Sequence, residues 1–262
     1  EISENGQLKL IDNVAADFEI QNTYEVTITA TDNLNAVISK TFSISVTDLN
    51  DAPTLLSLGS LFVGENIAGA SFGSISVTDQ DENESYTFAV TGDDKDSFEI
   101  VEGALKFKDS ISADFESKAT YSVTLTATDS GGVSVSENIT LVIADKNDAP
   151  TSISLGSLFV GENIAGASFG SISVTDQDEN ESYTFAVTGD DKDSFEIVEG
   201  ALKFKDSISA DFESKNTYSV TLTATDSGGV SVSENLTLVI ADKNEAPTLI
   251  SLGNLVVGEN IA

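Results

Sequence analysis

Hydrophobic and polar residues alternate along most of this chain. In the segments 121–127 and 137–143 every second residue is apolar, which places Tyr121, Val123 and Leu125 on one side of the first segment. A period of two is typical of a β-strand that buries one face. Shorter segments of the same kind predict further strands at 58–63, 72–78, 86–91, 98–101 and 104–107. No segment has sustained helical periodicity, so the pattern predicts an all-β protein.

The whole pattern returns every 97 residues. Residues 57–151 recur as 154–248 and differ only at the pairs Ala119/Asn216, Ile139/Leu236 and Asp148/Glu245. This period is far longer than a solenoid repeat and corresponds to one small domain. Short strands in each domain favour an antiparallel sandwich of immunoglobulin-like size. The predicted fold class is therefore an elongated tandem array of seven-stranded antiparallel Greek-key β-sandwiches.

The repeat period also predicts the domain boundaries. We expect a partial repeat at 1–53, complete repeats at 54–150 and 151–247, and the start of a further repeat at 248–262. The chain opens without Met in the middle of a repeat, so we expect it to be a piece of a longer protein. The two complete repeats are expected to be its stable part.

Composition excludes several classes of function. The chain has 44 Asp and Glu against 12 Lys, a net charge of −32, which disfavours binding to nucleic acid or direct contact with anionic membranes. It has no His and no Cys, so Ser-His-Asp and Cys-His catalysis are impossible. Paired carboxylates could still act as a glycosidase, but a simple sandwich offers no evident cleft, so we predict that the chain is not an enzyme. It also has no Trp, and its Phe and Tyr residues lie mostly on the apolar side of the alternation, which favours core packing over a sugar-binding platform.

Acidic motifs recur in the same order in each repeat. In the first complete repeat they are Gly64-Glu65-Asn66, Asp79-Gln80-Asp81, Asp114-Phe115-Glu116, Ala127-Thr128-Asp129 and the linker Asp145-Lys146-Asn147-Asp148 before Pro150. In an extended chain residues i and i+2 project to the same side, so the paired carboxylates converge and repel unless a cation separates them. Ca²⁺ is held by about six to eight oxygen ligands, whereas Mg²⁺ keeps its waters and prefers fewer carboxylates. Each motif alone is also common on solvated loops, but the ordered set indicates calcium binding.

This ordered set of motifs resembles the cadherin repeat. Ala before Pro in the linker, the absence of Cys and the near-identical copies are most similar to the cadherin-like repeats of bacterial giant surface adhesins, which are of RTX type and exported by type I secretion. Classical cadherins that adhere by strand exchange use an N-terminal Trp, so the resemblance does not extend to that mode of adhesion.

The resemblance implies calcium ions at each junction, with ligands from both neighbouring repeats and the linker. For the first junction the matching residues are Asp17, Glu19, Asp48, Asn50, Asp51, Asp79, Asp81 and Asp129, and the upstream Glu would precede residue 1. For the middle junction they are Glu65, Asp114, Glu116, Asp145, Asn147, Asp148, Asp176, Asp178 and Asp226, with backbone carbonyls of Lys146 and Ala149. For the third they are Glu162, Asp211, Glu213, Asp242, Asn244 and Glu245, where Glu245 replaces the usual Asp and its longer side chain alters that site.

The implied function is mechanical. The repeats would form the calcium-rigidified extender of a bacterial cell-surface adhesin involved in biofilms, a monomeric, extracellular rod whose adhesion target is bound by other domains. The alternative is a cadherin-like adhesion module that binds itself or a polysaccharide directly.

Overall fold

The structure is a computed structural model that describes residues 1–253 and residue 259. It divides into two units, Glu1–Lys146 and Asn147–Ala262. Of the further repeat expected at 248–262, residues 254–258 and 260–262 lie outside the described residues, and 248–253 form no strand.

Strands dominate both units, as the alternation predicts. The first unit opens with a hairpin of β1 (Thr23–Thr31) and β2 (Val37–Ser45). It continues with β3 (Leu55–Leu58), β4 (Phe62–Gly64), β5 (Ser71–Thr78), β6 (Thr87–Thr91), β7 (Phe98–Val101), β8 (Ala104–Phe107), β9 (Thr120–Thr128) and β10 (Ser134–Ala144). The second unit contains β11 (Ser152–Leu155), β12 (Phe159–Gly161), β13 (Ser168–Thr175), β14 (Thr184–Thr188), β15 (Phe195–Val198), β16 (Ala201–Phe204), β17 (Thr217–Thr225) and β18 (Ser231–Ala241).

Each complete repeat is a sandwich of two four-stranded sheets. In the first unit the strand orders are β3-β5-β8-β7 and β4-β10-β9-β6, and in the second they are β11-β13-β16-β15 and β12-β18-β17-β14. Neighbouring strands are antiparallel except for the parallel pairs β4–β10 and β12–β18. The described residues contain no α-helix, only short 3-10 turns at Lys95–Ser97 and Lys192–Ser194, and no helix among them could span a membrane. The predicted all-β sandwich is confirmed.

The first strand of the sandwich differs from its prediction. A single strand was expected at 58–63, but β3 pairs with β5 in one sheet and β4 pairs with β10 in the other. The chain changes sheets at Gly59, where a Cβ would lie 3.4 Å from the Cα of Gly73. This close backbone contact holds the crossing point, and alternation along the sequence cannot reveal which sheet a segment joins.

The core lies between the two sheets and is built largely from aromatic rings. Phe72 and Phe107 are fully buried, and the rings of Phe98 and Phe107 stack with centroids 4.7 Å apart. Tyr121 meets Phe107 edge to face at 5.0 Å. Each fully buried side chain of this size stabilises the fold by about 2–3 kcal/mol. The prediction that the aromatic residues form the core is confirmed for these positions.

Candidate metal centre

Glu65 is a buried carboxylate that lies directly after β4. Its side chain is 0% exposed, Oε1 accepts the N–H of Lys146 at 2.8 Å, and Oε2 accepts the N–H of Phe115 at 2.7 Å. Glu162 makes the equivalent bonds in the second unit, to Lys243 at 2.7 Å and to Phe212 at 2.8 Å. The sequence identified Glu65 only as a ligand, but it also ties the linker to the loop that follows β8.

Beside Glu65, the loop after β8 presents two more carboxylates. Phe115 packs against the core while oxygens of Asp114 and Glu116 lie within 4.8 Å of one another and of a Glu65 oxygen. Asp114 also accepts the N–H of Ser117 at 2.9 Å, which fixes the turn. The two residues predicted from the Asp-x-Glu motif therefore converge with Glu65, which follows β4.

The corresponding cluster of the second unit contains Glu162, Glu213 and Asp242, again within 4.8 Å. A backbone hydrogen bond lowers the pKa of Glu213, but burial and repulsion from Glu162 and Glu245 outweigh it, so this pKa is raised. Asp211 is not in this cluster; like Asp114, it accepts hydrogen bonds within its own loop, from the Ser214 hydroxyl at 2.7 Å and from the N–H of Glu213 at 3.1 Å.

Two further residues of the third junction lie at the end of the second unit. The longer side chain of Glu245 accepts a hydrogen bond from Asn163 Nδ2 at 2.5 Å. Asn244 Nδ2 donates to the backbone carbonyl of Glu245 at 3.4 Å. Glu245 therefore contacts the Asn that follows Glu162 in the Gly-Glu-Asn motif.

At the first junction, carboxylates from three segments meet within the first unit. Oxygens of Glu19 from the partial repeat, Asp48 from the linker and Asp81 from the complete repeat lie within 4.8 Å of one another. A backbone hydrogen bond lowers the pKa of Glu19, but burial and repulsion from Asp48, Asp51 and Asp81 raise it above its ordinary value. A cavity of about 700 Å³ adjoins these side chains. The remaining upstream residue, Asp17, accepts a hydrogen bond from Gln80 Nε2 at 3.3 Å.

The second half of the first linker bonds to the repeat that follows it. Asn50 Nδ2 donates to Asp129 at 3.1 Å, and the N–H of Asp51 donates to Asp81 at 2.7 Å. Asp129 is only 6% exposed; burial acts to raise its pKa, but hydrogen bonds from Asn50 and from the N–H of Val133 outweigh this and lower the pKa.

The second unit repeats the arrangement. Asn147 Nδ2 donates to Asp226 at 3.1 Å, and the N–H of Asp148 donates to Asp178 at 2.8 Å.

The structure adds contacts that the sequence did not indicate. The hydroxyl of Tyr86 donates to Asp79 at 3.0 Å, and burial together with this bond raises the pKa of Tyr86 to about 12. Glu84 accepts hydrogen bonds from the hydroxyl of Ser130 at 3.1 Å and from its N–H at 3.2 Å. Tyr183 and Asp176 repeat the first contact at 3.0 Å. Alternation placed the tyrosine in the core, and no motif marked its hydroxyl.

The residues predicted for the middle junction divide between the two units. Glu65, Asp114, Glu116 and Asp145 belong to the first, and Asn147, Asp148, Asp176, Asp178 and Asp226 belong to the second. Their convergence on shared ions stays a prediction.

The chemistry of these clusters fits calcium. Each contributes only carboxylate oxygens, with the linker amides and backbone carbonyls close by along the chain, and oxygen is the ligand that Ca²⁺ prefers. Three carboxylates within 4.8 Å of one another repel unless a cation neutralises them, and this repulsion contributes to the raised pKa values of Glu19 and Glu213.

Comparison with known proteins gives a consistent picture. No family model matches the chain. The chain is 31% identical to mouse protocadherin-20 over 250 residues, which cover 89% of the chain and 26% of that protein. It is 29% identical to human protocadherin gamma-B4 over 264 residues, which cover 92% of the chain and 28% of that protein. The chain thus spans about a quarter of the length of these relatives.

Solved structures agree with the sequence relatives. The extracellular domain of protocadherin gamma-B4 matches with a TM-score of 0.67 and 26% identity, over 88% of this chain and 39% of that one. Extracellular cadherin domains 1–4 of protocadherin gamma-B7 match with a TM-score of 0.65 and 25% identity, over 86% of this chain and 59% of that one. By sequence and by fold, the chain is therefore built from cadherin-like repeats.

Proposed function

We propose that these repeats are a calcium-stiffened extender. The observation that carries this proposal is the meeting of Glu19, Asp48 and Asp81, which come from a partial repeat, a linker and the next repeat. A divalent cation bound there would supply the positive charge that three neighbouring carboxylates require. The carboxylates repel one another without it, so the joint is expected to be stiff only when calcium is present.

Other residues of the chain support the same role by holding the ligands in place. Glu65 fastens the start of the second linker to its own repeat through the Lys146 N–H. Phe115 packs on the core and so directs the carboxylates on either side of it outward. We extend the proposal to the middle and third junctions, because the same motifs recur there at the same spacing.

The finer proposal is that the extender belongs to a bacterial cell-surface adhesin. The near-identical repeats, the absence of Cys and the net charge of −32 support it. Extracellular calcium modules bind at about 10⁻⁴–10⁻³ M, which leaves such sites empty inside a cell and filled outside. The repeats then stay pliable during export and stiffen at the surface, where other domains of the parent protein bind the target.

X-ray scattering of the full chain tests the extender. We expect a larger maximum dimension in about 10 mM Ca²⁺, which is about tenfold above the weakest dissociation constants usual for such modules, than in EDTA. A variant with Asp81→Asn and Asp178→Asn should lose this response. Its matched control carries Asp93→Asn and Asp190→Asn, which make the same change of charge on exposed turns and should retain it. An identical maximum dimension with and without calcium in the natural chain would refute the proposal.

A second candidate, self-association, is favoured by one surface of each sandwich. On the outer face of β9 and β10, Thr126 and Thr128 hydrogen-bond Ser136 and Ser134 at 2.8 Å. These positions carry no charge in a strongly acidic chain, and the exposed Phe62 lies on the neighbouring strand. Two copies would repel least across this face.

Sedimentation of the full chain in Ca²⁺ separates the two candidates. A dimer in the natural chain that dissociates in the variant with Thr126→Asp and Thr223→Asp would establish self-association through this face. A natural chain that stays monomeric at high concentration would exclude self-association and leave the extender as the remaining candidate.

A further inference from the structure

The linker Asn occupies a notch that exists because a glycine lies beneath it. A Cβ on Gly131 would lie 2.7 Å from Nδ2 of Asn50 and closer still to its Oδ1 and Cγ. In the second unit a Cβ on Gly228 would overlap Asn147 in the same way, again at 2.7 Å from Nδ2. Neither glycine has a positive φ. Glycine is therefore required at Gly131 and Gly228 because it has no side chain, and not because of its backbone freedom.

The next residue has the opposite requirement. Gly132 has a φ of +88°, and a Cβ there would meet nothing within 4 Å. Alanine at Gly132 strains the backbone but leaves the notch open, whereas alanine at Gly131 fills the notch. The two neighbouring glycines therefore separate backbone strain from steric exclusion of the linker.

Within the notch, Asn50 holds the linker to the following repeat. Its Nδ2 donates to Asp129 at 3.1 Å and to the carbonyl of Asp51 at 2.6 Å, and the N–H of Asp51 donates to Asp81 at 2.7 Å. These bonds join the linker to the loops of the Ala-x-Asp and Asp-x-Asp motifs. All of them form between groups of the protein itself.

In the second linker the hydrogen-bond partners change from the preceding repeat to the following repeat between Lys146 and Asn147. The N–H of Lys146 bonds to Glu65 in the first unit, whereas Asn147 and Asp148 bond to Asp226 and Asp178 in the second. The boundary between the two units falls at the same place. Only the start of the linker therefore belongs to the preceding repeat.

We infer that Gly131 and Gly228 are positioning residues for the calcium sites, because they admit the linker Asn and so lock the second half of each linker to the following repeat. This inference rests on the proposed function. A linker that is already locked loses less conformational freedom when an ion binds, so each glycine raises calcium affinity without itself supplying a ligand.

Hydrogen exchange of the full chain, read by mass spectrometry, tests the lock in EDTA. Peptides that cover 46–54 and 143–151 differ in sequence, so each linker is read separately. Gly131→Ala should speed exchange in the first linker by about tenfold, the loss of roughly one hydrogen-bonded contact, and leave the second unchanged. Gly228→Ala should do the reverse. Gly132→Ala lowers the melting temperature but should leave both linkers protected.

Two further variants distinguish loss of the lock from a general folding defect in Gly131→Ala. Asn50→Ala removes the side chain from the notch without adding an atom, so it should reproduce the fast exchange of Gly131→Ala. In the Asn50→Ala background, Gly131→Ala should have no further effect on the linker. Unchanged exchange in both single variants, or an added effect in the double variant, overturns the lock.

A calcium titration of the same peptides tests the positioning role. The Ca²⁺ concentration that half-protects the first linker should rise about tenfold in Gly131→Ala and less than about twofold in Gly132→Ala. If the lock loosens in EDTA but this concentration does not move, Gly131 has no positioning role. If calcium protects neither linker of the natural chain, the proposed function fails, and with it the positioning role, while the EDTA comparison still decides whether the lock exists.

Discussion

The carboxylate of Glu65 accepts the backbone N–H of Lys146 at 2.8 Å, although the two residues are 81 positions apart. The end of β4 and the start of the second linker are therefore joined by a hydrogen bond inside one repeat. Because Glu65 is fully buried, its two oxygens replace water for the N–H groups of Phe115 and Lys146.

Removing this carboxylate should destabilise the repeat even without calcium. Glu65→Ala leaves two backbone N–H groups without their acceptor, at about 1–3 kcal/mol each, so we expect a loss of about 2–5 kcal/mol in the free energy of unfolding. Denaturant unfolding in EDTA measures it. The exposed Glu82→Ala is the control and should change stability by less than about 0.5 kcal/mol. Equal effects of the two substitutions would show that Glu65 is only a ligand.

Neutralising one carboxylate at the first junction should have opposite effects with and without calcium. Glu19→Gln relieves repulsion from Asp48 and Asp81, so in EDTA we expect unchanged or slightly higher stability of the first unit. In calcium the same variant loses a ligand and should bind about tenfold more weakly, which is about 1.4 kcal/mol. Thermal melting in EDTA and in Ca²⁺ measures both. Glu4→Gln, with the same change of charge at an exposed site, should show neither effect, and a Glu19→Gln variant that binds calcium normally would remove Glu19 from the site.

Phe115 should couple the core to the carboxylates beside it. Phe115→Ala removes a partly buried side chain that packs against the core, which costs about 2–3 kcal/mol in stability. Because the ring also fixes the loop, Phe115→Ala should lower calcium affinity at the junction more than Phe115→Leu does. Calorimetric titration of both variants checks this, and equal affinities would show that the backbone alone orients Asp114 and Glu116.

Acid should weaken the repeat through Asp94, which belongs to none of the metal clusters. The ion pair with Lys118 and a hydrogen bond from the N–H of Ser122 hold the pKa of Asp94 below its ordinary value. A lowered pKa in the folded state contributes stability above the ordinary value of 3.8, and this stability is lost as the pH falls through the folded-state pKa. Asp94→Asn should therefore cost about 1–2 kcal/mol at pH 7, an effect that shrinks below about pH 4.

Thermal melts between about pH 2.5 and pH 7 in EDTA measure this dependence. The neighbouring Asp93 is exposed, so Asp93→Asn should cost little at any pH. A cost for Asp94→Asn that stays constant across this range would show that the ion pair does not carry the pH dependence.

Much of the fold could be predicted because it depends on local alternation. The strands β9 and β10 bury Val123, Leu125 and Leu141 on one face, as their period of two indicates. The split between β3 and β4 could not be predicted, because it depends on the contact of Gly59 with Gly73, which are distant in sequence and adjacent only in the folded sheet.

The candidate site shows the same division. Motif spacing indicated that Asp114 and Glu116 point the same way, and the structure brings them to Glu65. Spacing could not show that Asp211, in an almost identical repeat, lies outside the cluster of Glu162, Glu213 and Asp242. Nor could it show the hydroxyl of Tyr86 on Asp79, since a tyrosine on the apolar side of a strand looks like any other core residue.

The sequence by itself determined the all-β character, the repeat and the kind of ion the chain can hold, because alternation, period and side-chain chemistry are properties of the chain before it folds. The tertiary structure decided which carboxylates meet and which backbone groups hold them. Those contacts join residues as far apart as Glu65 and Lys146 or Asn50 and Asp129, and only the packing of the two sheets brings such residues together.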